Sequence, residues 1–142
     1  MKVIVFVKAN ADSEAGKMPS AEEFRDMTAF NEELVKAGVM LSGEGLTPSS
    51  RGKRVRCEGK RRTVIDGPFA EAKELVAGFW IWQVASMDEA VEWIKRAPFQ
   101  EGELELRPIF GPEDFAGAVP PDVIEREERM RAVTEGAAGK KA

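Results

Sequence analysis

The run Phe79-Trp80-Ile81-Trp82-Gln83-Val84 places bulky apolar side chains at consecutive positions, which limits the folds open to this chain. Successive side chains of a strand point to opposite faces, so a strand built from these residues is apolar on both sides and must be covered on both. The aromatic and β-branched content favours a strand over a helix and predicts a central one, within Gly78 to Ala85. Met1 to Lys8 has the same character. Val3, Val5 and Val7 share one face while Ile4 and Phe6 share the other.

The segments between these strands set the order of elements. Asn10 to Pro19 is polar and reads as a loop. Ser20-Ala21-Glu22-Glu23 has the spacing at which a serine hydroxyl and a glutamate carboxylate satisfy free amides reciprocally, so a helix is predicted over Ala21 to Ala37. Its apolar stripe is Phe24, Met27, Phe30, Leu34 and Val35, and Gly38 suits a left-handed cap. Val39-Met40-Leu41 reads as a strand, followed by a loop from Gly43 to Gly52. Arg54 to Cys57 and Arg61 to Ile65 flank Glu58-Gly59-Lys60, a hairpin signal. Ser86-Met87-Asp88-Glu89 opens a second helix with Ala90, Val91, Ile94 and Ala97 facing the core, closed by Pro98. Leu104 and Leu106 alternate with Glu103, Glu105 and Arg107 in a last strand that has one wet face or lies at an edge.

The order is therefore β-α-β, hairpin, β-α-β. It fits an α+β, ferredoxin-like split βαβ sandwich with an inserted β-hairpin. Two helices cover one face of such a sheet. Phe6 together with Trp80 or Trp82 in water would make a patch that calls for a partner, so a homodimer packed sheet against sheet is expected. Each such side chain contributes about 1.5–3 kcal/mol on burial. The domain is placed at residues 1–112, and 113–142 forms an extension. Within that extension, 122–133 reads as a charged helix with Val123, Met130 and Val133 on a sparse stripe, and 136–142 as a frayed end.

Composition excludes much chemistry. The 142 residues contain no histidine and no tyrosine, which removes Ser-His-Asp and Cys-His catalysis and the commonest metal ligand. Cys57 is the only cysteine, so an internal disulfide and thiolate-rich metal sites are excluded, and a reducing cytoplasm is compatible. No metal or cofactor is expected. No apolar run approaches the length of a membrane span, and Val3 to Val7 reads as a strand, not as a secretory signal. A cytoplasmic location is expected. The net charge of −4 and pI near 5.1 offer no general attraction to nucleic acid.

Asp66-Gly67-Pro68-Phe69 follows the second hairpin strand and precedes Ala70-Glu71-Ala72-Lys73-Glu74. With Leu41-Ser42-Gly43-Glu44-Gly45-Leu46 upstream, these residues resemble the DGPF branch of the YCII-related proteins over residues 1 to about 110. The resemblance implies a dimeric α+β barrel whose activity is mostly unassigned. Related YCII proteins carry a histidine near an aspartate as a proposed active pair. This chain has no histidine, so that mechanism does not transfer. Genes of the DGPF family often lie beside or are fused to those for extracytoplasmic-function sigma factors, which implies a possible regulatory partner.

Asp66 is the candidate catalytic residue and a candidate ligand contact. An Asp-Gly-Pro-Phe turn can cap itself through the carboxylate, with Pro68 fixing the backbone and Phe69 anchoring it in the core; alternatively, burial at the mouth of a cleft would raise the Asp66 pKa toward acid–base use. Glu44 sits between glycines that permit close approach of a ligand. Lys73 could contact an anion, with the alternative of a solvated helical turn. Arg107 could bind a carboxylate bidentately, against the simpler role of a rim charge. Seven basic residues between Arg51 and Arg62 mark either an anion patch or an edge protected against aggregation, and without interleaved aromatics nucleic-acid binding is disfavoured. Trp80, Trp82 and Trp93 are more economically explained by packing than by a ligand pocket.

Three functions follow from these residues. The first is a small-molecule-binding or accessory module with a cleft near Asp66. The second is a small cofactor-free enzyme of lyase, isomerase or hydrolase type, with Asp66 carrying the proton. The third is a regulatory interaction protein acting through the hairpin or the tail.

Overall fold

Strands β1 (Lys2–Lys8) and β5 (Val76–Gln83) pair antiparallel at the centre of a four-stranded sheet. β2 (Met40–Gly45) borders β5, and β6 (Leu104–Pro108) borders β1, giving the order β2-β5-β1-β6. Helix α1 (Ala11–Glu14) is a single turn, α2 (Ala21–Lys36) links β1 to β2, and α3 (Met87–Ile94) links β5 to β6. Strands β3 (Lys53–Glu58) and β4 (Arg61–Asp66) form a separate two-stranded ribbon between β2 and β5. This is the ferredoxin-like α+β plan with an inserted hairpin. The computed structural model describes residues 1–139. Residues 1–109 form one compact unit and the remainder another, which contains α4 (Pro121–Gly139). The helix expected at 122–133 thus continues through 139, and of the end expected to fray, residues 140–142 lie outside the described residues.

Both helix starts follow from their caps. The Ser20 hydroxyl accepts from the Glu23 amide while the Glu23 carboxylate accepts from the Ser20 amide. At α3, Ser86 accepts from the Glu89 amide, but the Glu89 carboxylate reaches one residue further back, to Ala85. Lys95 ends α3, and turn bonds from Arg96 to Trp93 and from Ala97 to Ile94 carry the chain on to Pro98.

The core lies on one face of the sheet. Val3, Val5, Trp80 and Trp82 meet Phe30 and Leu34 of α2 and Ala90 of α3. Phe30 meets Trp80 edge-on, with centroids 5.9 Å apart, and Trp80 donates its indole N–H to the Asn31 side-chain oxygen at 2.9 Å. Sequence had paired Phe6 with the tryptophans as a possible exposed patch. That expectation is corrected: Trp82 is fully buried and Trp80 is 5% exposed, both within their own chain. Alternation puts Ile4, Phe6, Phe79 and Ile81 on the other face, where all four are half-buried. Within the 1–109 unit they lie outside the core into which the two long helices pack.

Other expectations also need revision. Phe24 and Val35 do not join the buried stripe, being 52% and 61% exposed, because α2 presents only Phe30 and Leu34 squarely to the sheet. The segment Gly43 to Gly52 was expected to be a loop, but its first three residues continue β2. A Cβ at Gly43 would stand 2.7 Å from the Trp80 ring, so only glycine lets β2 pass beneath that indole and keep its register with β5. The polar stretch after β1 contains the turn α1, capped by Asn10, whose side chain accepts from the Ser13 amide.

Candidate functional site

The carboxyl ends of β1 and β2 and the start of β5 define one end of the sheet, and the connecting loops converge there. Asp66 closes β4, and the loop after it leads through Lys73 into β5. The peptide between Gly67 and Pro68 is cis. The Gly67 amide donates to the Gly52 carbonyl at 3.1 Å, closing the base of the ribbon. The Phe69 amide donates to Ser49 Oγ at 3.0 Å, and Ser49 Oγ in turn donates to the Glu14 carboxylate at 2.7 Å. Glu14 also accepts from the Ser49 amide. Sequence reasoning missed this relay because Glu14 and Ser49 sit in segments without periodicity and are brought together only by tertiary structure.

The motif is thus a fastener. Phe69 does not enter the core as expected; it is half-buried beside Gly52, under the Arg54 guanidinium, which stacks 4.0 Å from the ring centroid. Asp66 points away from the relay. Its side chain is 74% exposed and ion-paired with Lys53, its cross-strand neighbour. Replacing Ser49 by Ala leaves the Phe69 amide and the Glu14 carboxylate short of a partner. We expect a loss of about 1–3 kcal/mol, read as a lower urea midpoint at unchanged slope.

Strand alternation puts Glu44 on the opposite face from Trp80. Across that face runs a row of four residues: Glu44 opposite Phe79, Phe79 opposite Phe6, and Phe6 opposite Glu105. Glu44 and Glu105 therefore stand roughly 14 Å apart, three inter-strand spacings. Lys8, only 18% exposed, pairs with Glu105 at 3.5 Å. The neighbouring row is Ser42, Ile81, Ile4 and Arg107. Of the four residues singled out by sequence, Glu44 and Arg107 share this face on opposite edge strands, whereas Asp66 and Lys73 belong to the loops at the sheet's end. Lys8 and Glu105 were missed, although the pairing of β1 with β6 is the signal that reveals them. The two shallow depressions described lie elsewhere, one on the outer side of α2 around Phe24 and Thr28, the other on α4 around Val123 and Met130. Among the described residues, no cluster of three or more Asp, Glu or Cys has metal-binding geometry, and no helix is long and apolar enough to cross a membrane.

The model of the YCII-related domain matches residues 1–113. The chain belongs to that family. An uncharacterized protein of Rhizobium meliloti (strain 1021) is 30% identical over 110 residues, spanning 75% of this chain and 89% of the relative. Among solved structures, a 5-chloro-2-hydroxyhydroquinone dehydrochlorinase from Burkholderia phenoliruptrix AC1100, in complex with 2,5-dihydroxybenzoquinone, is similar. It shows 15% identity, a TM-score of 0.46, and coverage of 80% of this chain and 98% of that one. In this YCII-related domain the backbone of Asp-Gly-Pro-Phe docks on residues 49–52 through Gly67 and Phe69, while Asp66 and Pro68 are exposed.

Proposed function

We propose that this YCII-related protein is a small-molecule-binding module that acts as a homodimer. Two copies pack through the face carrying Ile4, Phe6, Phe79 and Ile81, and a cleft forms at its border near Asp66. The observation that carries the reading is the row Glu44–Phe79–Phe6–Glu105, in which a paired apolar centre on the face opposite α2 and α3 is flanked by carboxylates. Such a face, apolar inside and charged at its margin, has the anatomy of an interface that leaves polar groups at its rim. Glu44, Lys73, Asp66 and Arg107 supply both signs of charge there, which suits a small polar ligand with an apolar body. Asp66 serves better as a ligand contact than as a proton carrier, since a solvated carboxylate beside Lys53 lacks the burial that acid–base use at neutral pH requires.

Two measurements test this. Phe79→Glu sets a charge in the middle of the contact face, where an unpaired buried charge costs about 3–5 kcal/mol. Sedimentation equilibrium should find a dimer for the natural chain and a monomer for the variant, while its circular dichroism stays native. A panel of small carboxylic acids, phosphate esters and aromatic acids should contain at least one compound that raises the melting temperature saturably. At a hundredfold excess over Kd the gain is about 2.7 kcal/mol, or several degrees. Glu44→Gln and Asp66→Asn should weaken that shift. A natural chain that sediments as a monomer, or a shift indifferent to both substitutions, contradicts the proposal.

A further inference from the structure

The ribbon β3–β4 stands apart from the main sheet and is exposed nearly throughout. An isolated two-stranded hairpin is marginal in water. Here its root is held by the Gly67–Gly52 bond and the Arg54–Phe69 stack, while its outer half is exposed on both strands. Val55 and Val64 face each other across the strands and remain 57% and 61% exposed. Cys57 lies on the same side, opposite Arg62. Arg62 shares that side and Lys60 stands at the turn beyond it, whereas Arg56 and Arg61 alternate to the other side of the ribbon.

Charge indicates what covers the strip. Residues 51–62 carry seven basic side chains against Glu58 alone, a net +6; the whole chain is −4, so the rest of the molecule carries −10. A basic arm on an acidic body repels other arms and attracts other bodies. Nucleic acid fits less well, because the acidic body opposes a polyanion and the ribbon has no aromatic side chain on which a base could stack. We propose that the ribbon is a docking arm for a second copy of this chain: Val55 and Val64 seat against the partner's acidic body, and Arg62 on the same side, with Lys60 at the turn, forms the charged rim. In a two-fold dimer each arm reaches the other body, so the contact is made twice. The inference rests on the dimer proposed above and adds a second contact to the one made by the sheet face.

Cys57, the only thiol of the chain, reports on the contact directly. In the full-length protein at low salt, above the dimer's dissociation constant, its reaction with Ellman's reagent should be slowed about tenfold or more relative to dilute monomer. Salt of about 1 M, where charges are screened beyond ~3 Å, should restore the rate, as should Lys60→Glu combined with Arg62→Glu. That double variant, altered only at exposed positions, should also dimerise about tenfold more weakly. Val55→Ser with Val64→Ser should free the thiol without changing the charge. A dimer whose Cys57 reacts at the free rate overturns the arm and leaves the sheet-face dimer standing. Protection that appears only on adding DNA or heparin overturns it in favour of a polyanion partner. A natural chain that is monomeric removes both proposals together.

Discussion

Replacing Gly67 by Ala should cost more than any other single-methyl addition in this protein, about 3 kcal/mol or more. The new Cβ would lie 1.8 Å from the Ser49 carbonyl oxygen and 2.7 Å from its carbon. Both are backbone atoms, so no rotamer change relieves the overlap. One of the two segments must move, and either movement breaks the Gly67–Gly52 hydrogen bond and the Phe69–Ser49 contact. At roughly 4 °C per kcal/mol for a chain of this size, the melting temperature should fall by about 10 °C or more. Gly45→Ala is the control. A Cβ there meets nothing within 4 Å, and alanine is less costly than glycine in a strand, so the variant should be neutral or slightly stabilised. Equal effects at the two positions would mean that the docking of the loop on residues 49–52 is wrong.

Trp82→Ala should be comparably severe for a different reason. The indole is fully buried between β5 and the helices, packed 5.6 Å from Trp80 and 6.5 Å from Phe30, centroid to centroid. Removing it leaves a cavity that neighbouring side chains fill only in part, a loss of about 3–5 kcal/mol. Trp82→Phe should behave unlike an ordinary truncation. The Trp82 indole N–H is buried and has no hydrogen-bond partner among the described residues, a burden of about 1–3 kcal/mol that phenylalanine lacks. The gain from deleting that donor offsets part of the lost volume, so the phenylalanine variant should retain most of the native stability. Trp80→Phe has no such compensation, because it strands the Asn31 side chain that now accepts from the indole. Urea denaturation of the three variants, followed by circular dichroism, should rank Trp82→Ala lowest and Trp82→Phe above Trp80→Phe.

These cases show what sequence could and could not carry. Period-two alternation in Val3–Val7 and Phe79–Val84, the Ser20 and Ser86 caps, and the Glu58-Gly59-Lys60 turn mark elements through local chemistry, and each appears within a few residues of its expected place. The strand at Gly43–Gly45 was hidden because glycine ordinarily weakens strands, and only the indole above it explains the choice. The side on which Trp80 and Trp82 lie depends on which face the helices cover, a tertiary decision that alternation alone does not make. At the site, Asp66 and Glu44 stood out by composition. The relay from Glu14 through Ser49 to Phe69 joins residues 35 and 20 positions apart and has no local signature.

Gly52 and Gly67 are the two ends of everything that projects as the arm, and a single hydrogen bond spans the gap between them. Whatever length or composition lies between those ends, the threading of the main sheet is unaffected. Evolution is therefore free to lengthen, recharge or trim that appendage as one cassette, altering whom the protein meets while the body that carries it stays the same.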